Sequence, residues 1–281
     1  MPLALWKAIV LGIVEGLTEF LPVSSTGHLT ITEKLLHMDI SGPGPTAFTA
    51  IIQVGAIIAA IIYFRRDIWR IIRGFVAGLF SAEARRSPDW RLAIFVIIGT
   101  IPIAIVGLAL KHFIENDLRS LWVVAVGLIA WSAVMVFAEH AATQTRHEDR
   151  LTNSDAIVLG VFQVFSLIPG VSRSGATISG GLLRDIDRVT ATRMSFLLGI
   201  PALAAAGGLE AISDSHQIAD TVGWAPTAVG LVVSFIVGYI SIAWLLRFVA
   251  RHSIVWFVPY RLALGAVIIA ALVIGGTSLS S

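Results

Sequence analysis

Six apolar stretches, each long enough to cross a lipid bilayer, constrain the fold of this 281-residue chain more than any other feature. A helix needs about 20 residues to cross a hydrocarbon core of about 30 Å. Only 14% of the residues are charged, whereas a soluble domain carries roughly a quarter. The chain is therefore predicted to be an all-α polytopic membrane protein. The six predicted spans are Thr46–Phe64, Leu92–Leu110, Leu121–Ala138, Thr192–Ile212, Ala225–Phe248 and Phe257–Gly276.

Two further apolar segments are each interrupted near the middle by polar, proline- and glycine-containing sequence. Leu3–Leu36 is broken at residues 21–27, and Asp155–Leu183 is broken at residues 169–175. The pieces on either side of a break are too short to span a bilayer. Each segment is predicted to be a re-entrant helical hairpin, which enters the membrane and returns to the same side. The alternative for each is a single kinked span.

Basic residues are divided unevenly between the two sets of loops. The loops on one side hold only Lys111 and Arg119. The other side holds twelve basic residues, namely Arg65, Arg66, Arg70, Arg73, Arg85, Arg86, Arg91, Arg146, Arg150, Arg184, Arg188 and Arg251. This asymmetry predicts that the arginine-rich side is cytoplasmic and that both termini are outside. The net charge of only +2, spread over several loops, argues against a nucleic-acid partner.

The two interrupted segments align with each other at an offset of 148 residues. Residues 12–27 fall on residues 160–175 without a gap, with identities at Gly12/Gly160, Val23/Val171, Ser24/Ser172 and Gly27/Gly175. The sequence thus predicts a single membrane domain, residues 1–281, made of two repeats at about 1–138 and 155–281. Because each repeat has three spans, the second is expected to be inverted relative to the first, which places a site where the two breaks meet.

Four ionisable residues lie in or beside the breaks, at predicted membrane depth. Glu15, Glu19 and His28 belong to the first segment and Arg173 to the second. Such groups are costly in a bilayer and mark functional sites. Glu15 and Glu19 are four residues apart, which puts both carboxylates on one helix face. The alternative is that Arg173 merely neutralises a glutamate to join the hairpins.

Hydroxyl side chains accompany these charges. Any one of them alone is as well explained by helix packing. Together with Arg173 and the helix N-termini they describe a pocket for an anion, with phosphate as the natural occupant. The candidate substrate-binding residues are Ser24, Thr26, Ser172, Arg173, Ser174 and Thr177, with Ser25 as a further hydroxyl.

A divalent cation is predicted beside this pocket. Two carboxylates next to a phosphate suit a hard cation such as Mg²⁺ or Ca²⁺, with Glu15 and Glu19 as its ligands. The chain has no cysteine, which excludes thiolate metal sites and cysteine nucleophiles.

The runs Glu15–His28 and Pro169–Thr177 resemble the two signature motifs of the bacterial undecaprenyl-pyrophosphate phosphatase family, which is linked to bacitracin resistance. The resemblance implies an enzyme of the bacterial plasma (inner) membrane that removes one phosphate from undecaprenyl pyrophosphate. This reaction recycles the carrier lipid of cell-wall (peptidoglycan) synthesis. The resemblance also implies a divalent cation and a site open to the outer face.

The same resemblance assigns roles within the motifs. It implies that Ser25 is the nucleophile, that Glu15 and Glu19 are the acidic pair and that Arg173 binds phosphate. It also brings His28 into the catalytic set of Ser25, His28, Glu19 and Arg173. Either His28 or Glu19 is a candidate base for the Ser25 hydroxyl. Direct attack by water, without a covalent intermediate, is the open alternative.

Two other classes of function fit the architecture. Inverted repeats with broken helices are common in transporters, so a lipid flippase or an anion transporter that uses the same midplane pocket is the main alternative. A scaffold with a polar core is the third. The predicted partners are a polyprenyl pyrophosphate lipid and membrane lipids, and a homodimer is left open. The segment Arg65–Arg91 is either a plain cytoplasmic linker or a basic amphipathic element on an anionic leaflet.

Overall fold

The computed structural model describes residues 3–38, 43–116, 118, 120–213, 218 and 221–275, and all regular elements within them are helices. Five helical stretches are long and apolar enough to cross a membrane. They are Thr46–Tyr63, Pro88–Ala109, Leu121–Ala141, Trp224–Val249 and Ile254–Ile274. The prediction of an all-helical, multi-pass membrane protein is confirmed.

The helices follow one another along the chain with short connections. In the first half they are α1 (Leu5–Thr18), α2 (Ser25–Leu35), α3 (Pro43–Tyr63), α4 (Arg65–Phe80), α5 (Pro88–Ala109), α6 (Lys111–Asn116) and α7 (Leu121–Ala141). In the second half they are α8 (Asn153–Val164), α9 (Arg173–Leu182), α10 (Arg188–Ser213), α11 (Trp224–Val249) and α12 (Val258–Gly275).

The fourth predicted span, Thr192–Ile212, lies in α10, a 26-residue helix that contains Pro201 and is not among the five apolar stretches. That span therefore remains a prediction. The predicted start of the second span at Leu92 was four residues late, because α5 begins at Pro88. There Ser87 Oγ accepts a hydrogen bond from the Trp90 N–H and proline occupies the first turn, a strong start signal. Arg119, used in the loop count, lies outside the described residues.

Both interrupted segments are split into short helices, as predicted. The four pieces have 14, 11, 12 and 10 residues, so the longest measures about 21 Å at 1.5 Å per residue and none crosses a bilayer. The breaks end earlier than predicted, at Ser24 and Ser172, since the residues that follow already form the first turns of α2 and α9. These two serines, equivalent in the repeat, share the same left-handed backbone conformation, with φ of 76° and 77°.

The helix that precedes each break packs against a helix of the other half of the chain. α1 packs on α11, where a Cβ at Gly12 would lie 2.6 Å from the carbonyl oxygen of Gly230. The equivalent residue Gly160 brings α8 against α5, with a distance of 2.5 Å to Gly99 O. Only glycine permits contacts this close between helix backbones. Each half thus packs its interrupted segment against a span of the other half, and this brings the two breaks together.

Candidate active site

The two breaks hold each other through reciprocal hydrogen bonds. The backbone N–H of Gly170, in the second break, donates to Ser24 Oγ at 3.1 Å. In the opposite direction, Ser172 Oγ donates to the carbonyl oxygen of Leu21 at 3.4 Å. Both serines are buried. Two segments 148 residues apart in sequence therefore form one junction.

A buried arginine on a third helix donates hydrogen bonds to both breaks and so stabilises this junction. Arg261, on α12, is fully buried. It donates to Pro22 O in the first break at 2.9 Å, and to Gly170 O at 3.0 Å and Val171 O at 3.2 Å in the second. Within the described ranges no carboxylate lies close enough to form an ion pair with it. Its positive charge is met only by carbonyl and hydroxyl dipoles, so the junction favours an anion.

Sequence reasoning missed Arg261 although a signal was present. Arg261 is the only charged residue in the predicted span Phe257–Gly276. A charge inside a span is itself a mark of function, but that rule was applied only to the two interrupted segments.

Ser25, Glu19 and Arg173 form a connected set across the junction. Ser25 Oγ donates to Glu19 Oε2 at 2.7 Å. The other carboxylate oxygen, Oε1, accepts from Arg173 Nη2 at 3.2 Å. The side chains of Glu19 and Arg173 are only 4% and 9% exposed. A carboxylate is therefore hydrogen-bonded to a hydroxyl and held in place by a guanidinium from the opposite break.

Arg173 is positioned by a glycine on α10. Its Nη1 donates to the carbonyl oxygen of Ser195 at 3.2 Å, and its head group lies directly against Gly199, where an added Cβ would overlap Nη1. Its Nε is buried and has no hydrogen-bond partner in the described chain. One strong donor of Arg173 is thus left for a ligand.

Glu15 and its repeat equivalent Gln163 are both fully buried beside the junction. Neither carboxylate oxygen of Glu15 has a hydrogen-bond partner among the described residues, and the same is true of both head-group atoms of Gln163. A buried carboxylate without donors is costly unless a cation meets it.

The divalent cation stays a prediction: both oxygens of Glu15 are free, within the described chain, to bind one, whereas those of Glu19 accept from Ser25 and Arg173. Both side chains offer the hard oxygen ligands that Mg²⁺ and Ca²⁺ prefer. Over the ranges that the structure covers, no cluster of three or more His, Asp or Glu side chains could hold a metal ion. The protein would therefore supply two carboxylates, and phosphate oxygens or water would complete the coordination.

Both ring nitrogens of His28 contact groups other than Ser25, and one of those groups is a tyrosine that the sequence analysis also missed. Its Nδ1 lies 2.7 Å from the carbonyl oxygen of Ser24, so Nδ1 carries the proton. Its Nε2 then accepts from the hydroxyl of Tyr260 at 2.6 Å, and the two rings stack with centroids 5.6 Å apart. No sequence signal distinguishes Tyr260, because aromatic residues are ordinary near the ends of spans. Of the two candidate bases, Glu19 is the one in contact with Ser25.

The remaining predicted residues divide into two groups. Ser174 joins the junction, because its Oγ lies 3.2 Å from Ser172 Oγ. Thr177 is buried but donates to the carbonyl oxygen of Arg173 in its own helix at 2.9 Å. Thr26 is exposed in the first turn of α2. The hydroxyls of Ser24, Ser172 and Ser174 therefore lie where predicted, whereas Thr26 and Thr177 are not drawn into this network.

Comparisons with known proteins give one matching family model and relatives that share one name. The family model of the bacitracin resistance protein BacA matches residues 8–267. Undecaprenyl-diphosphatase 3 of Frankia casuarinae is 56% identical over 263 residues, which cover 94% of this chain and 95% of that protein. Undecaprenyl-diphosphatase of Cutibacterium acnes is 55% identical over 269 residues, 93% of this chain and 95% of its own. The protein of the same name from Acidothermus cellulolyticus is 53% identical, with coverage of 96% and 97%.

Proposed function

The chain belongs to the family of the bacitracin resistance protein BacA, and from this premise we propose that it is an undecaprenyl-diphosphatase. It is a membrane hydrolase that converts undecaprenyl diphosphate and water to undecaprenyl phosphate and inorganic phosphate. The observation that carries the chemistry is the Ser25–Glu19–Arg173 set. It combines a hydroxyl, a base in contact with that hydroxyl and a guanidinium group that can bind phosphate, which are the parts a phosphoryl transfer needs.

The diphosphate binds at the junction through positive charge and N–H donors. Arg173 offers its unpartnered Nε, and Arg261 adds positive potential from behind the breaks. α2 and α9 both begin at the junction, so their first N–H groups face it with the positive ends of two helix dipoles. Fixed donors of this kind stabilise charge on the transferring phosphoryl oxygens.

In the first step Ser25 Oγ attacks the terminal phosphorus while Glu19 takes its proton. A P–O bond to Ser25 forms and the bond to the bridging oxygen breaks, and the bridging oxygen leaves with undecaprenyl phosphate. In the second step water attacks the phosphoserine and restores Ser25. Glu19 returns its proton to Ser25, and His28, whose Nε2 accepts from the Tyr260 hydroxyl, takes a proton from that water through this hydroxyl.

A divalent cation, Mg²⁺ or Ca²⁺, completes the proposal. Glu15 and Glu19 would hold it, and when bound it offsets the negative charge of the diphosphate. The support is the buried, unpartnered carboxylate of Glu15. Without a counter-charge, that group would repel the substrate.

The membrane arrangement proposed is six spans and two re-entrant hairpins in an inverted repeat. Two observations support it, namely the matching left-handed conformation of Ser24 and Ser172 and the reciprocal packing of Gly12 on Gly230 and of Gly160 on Gly99. The loop charges support a cytoplasmic arginine-rich side. The site then opens to the outer face of the bacterial plasma membrane, where the carrier lipid of cell-wall synthesis is recovered.

The test is phosphate release from undecaprenyl diphosphate by purified protein in detergent. Ser25→Ala should lower kcat by about a thousandfold or more while substrate still binds, because only the attacking atom is lost. Ser241→Ala is the matched control, since Ser241 is buried and its hydroxyl is used within its own helix, where it donates to Val237 O at 2.8 Å.

Two outcomes decide against the proposal. If Ser25→Ala stays within about tenfold of the parent, some 1.4 kcal/mol, then Ser25 is not the nucleophile and water attacks directly. If the parent protein releases no phosphate but moves the lipid between leaflets, the chain is not a phosphatase.

A further inference from the structure

The helix α4 is fixed to the rest of the protein by one face. On that face a Cβ at Gly74 would lie 2.7 Å from the Cβ of Asp89, and a Cβ at Gly78 would overlap the ring of Trp90. Arg70 Nε donates to Asp89 Oδ1 at 3.0 Å, and Phe75 stacks on Trp90 with centroids 5.7 Å apart. The contact is dense and specific, so the orientation of α4 about its own axis is determined.

These contacts place α4 across the end of α5 rather than alongside it. Side-by-side helices would pair successive turns of one with successive turns of the other. Instead, two turns of α4, from Arg70 to Gly78, meet Asp89 and Trp90 in the first turn of α5. Asp67, in the first turn of α4, pairs with Arg193 near the start of α10 at 2.9 Å. α4 therefore lies over helix ends on the arginine-rich side.

The opposite face of α4 is apolar and exposed. Trp69 is 65% and Phe80 86% exposed. At 100° per residue the stripe covers an arc of about 100°, the width of one amphipathic face. The exposed stripe consists of Trp69, Ile72, Val76, Leu79 and Phe80.

Two arginines flank this stripe on the same side of the helix. Arg66 and Arg73 lie within about 60° of Trp69 around the helix. Both are exposed, and neither has an ion-pair partner in the portion of the chain that is described. They contrast with Arg70, which is engaged by Asp67 and Asp89.

We propose that α4 lies in the membrane interface of the arginine-rich side, with its apolar stripe in the acyl-chain region and with Arg66 and Arg73 binding the phosphates of anionic phospholipids. The partner is a lipid leaflet because α4 follows directly on the apolar stretch Thr46–Tyr63, crosses helix ends and joins an apolar face to a basic edge. The inference rests on the chain being a membrane protein and is independent of the phosphatase reaction.

The cysteine-free sequence allows a direct test with single-cysteine variants. Ile72→Cys, Val76→Cys and Leu79→Cys are each spin-labelled in nanodiscs of phosphatidylcholine with phosphatidylglycerol. The labels should be more accessible to oxygen than to a water-soluble nickel complex. Leu108→Cys, on the exposed face of α5, serves as a lipid control, and Thr145→Cys, in an exposed loop, as a water control.

Two other patterns at these positions overturn the proposal. Labels that behave like Thr145→Cys mean that the stripe faces water. Labels shielded from both reagents, with short distances between spins, mean that a second copy of the chain covers it.

A second arm addresses the arginines. The protein in nanodiscs should bind phosphatidylglycerol in preference to phosphatidylcholine. Each of Arg66→Gln and Arg73→Gln should weaken that preference about fivefold, the equivalent of about 1 kcal/mol per basic residue near an anionic surface. Arg70→Gln is the matched control, because Arg70 lies toward the packed face of α4 and is already engaged by Asp67 and Asp89. If the preference is unchanged in both test variants, anionic-lipid recognition by α4 is wrong. Phosphate release by every variant reports that the fold is intact.

Discussion

Gly199→Ala is expected to inactivate the enzyme without unfolding it. Gly199 lies on α10, far from both breaks in sequence, and an added methyl group there would overlap the guanidinium of Arg173. The obstructing group is the end of a flexible side chain, so Arg173 can move aside without disturbing the backbone. In moving it gives up its contacts with Glu19 and Ser195.

The magnitude follows from what Arg173 does. Loss of one fixed donor to a developing negative charge typically costs about 10²–10³ in kcat, roughly 3–4 kcal/mol. Against this, alanine in place of a helix glycine adds roughly 0.5–1 kcal/mol of stability. Gly199→Ala should therefore lower kcat/KM by about two to three orders of magnitude with an unchanged or slightly raised Tm.

The same helix provides the control. A Cβ at Gly208 would meet nothing within 4 Å, so Gly208→Ala should leave phosphate release unchanged. A double-mutant cycle then tests the route of the effect. In an Arg173→Ala background, Gly199→Ala should have almost no further effect, since it acts through the group already removed. If folded Gly199→Ala keeps activity within about threefold of the parent, or if its effect on activity is undiminished in the Arg173→Ala background, then Gly199 does not act through Arg173.

Three further predictions concern other groups. Chelation of divalent cations should abolish phosphate release, and Glu15→Gln should raise the metal concentration needed for half-maximal rate; full activity in excess chelator would remove the metal from the reaction. Tyr260→Phe should lower kcat on the order of tenfold, the worth of one hydrogen bond, and should let phosphoserine accumulate; an equal loss in both steps would mean that Tyr260 only supports the fold. Asp155→Asn should destabilise the protein by about 3–5 kcal/mol, as expected when one partner of a buried ion pair is lost, because Asp155 pairs with Arg146 and Arg184. The measurement is thermal unfolding in detergent, with His147→Gln, which removes the exposed partner of Asp187, as control. Burial alone would raise the pKa of Asp155, but hydrogen bonds from Arg146, Thr152 and Arg184 outweigh it and hold that pKa well below its usual range. The stability that Asp155 contributes is therefore present at neutral pH and is lost as pH falls below about 4. A Tm difference between parent and Asp155→Asn that persists undiminished at lower pH would contradict this.

Sequence reasoning was strongest where the signal is local. Apolar length indicated the spans, and polar interruptions located the breaks to within three residues of Ser24 and Ser172. An ion pair between Arg173 and one of the two glutamates was the alternative that charge alone suggested, and the structure shows that the glutamate is Glu19. These inferences need only the composition of one segment and the nature of the solvent around it.

What the sequence did not reveal depends on contacts between distant segments. Arg261 binds carbonyl oxygens in both breaks, and carbonyls are invisible in a sequence because every residue has one. Gly199 matters only because Arg173 passes over it, and Tyr260 only because His28 turns toward it. Which of Glu19 and His28 contacts Ser25 was left open for the same reason, since they lie six residues before and three residues after it in the sequence.

The exchanged packing of α1 and α8 imposes an order on biogenesis. α1 emerges from the ribosome first, but α11, the helix on which Gly12 packs, is made near the other end of the chain. Until then α1 lacks the helix against which it packs, and a bilayer core is a poor solvent for Glu15 and Glu19. The first interrupted segment is therefore expected to stay near the water interface until α11 is made. Neither half made alone should acquire the site, whereas two halves synthesised as separate chains in one membrane hold every contact needed to complete each other.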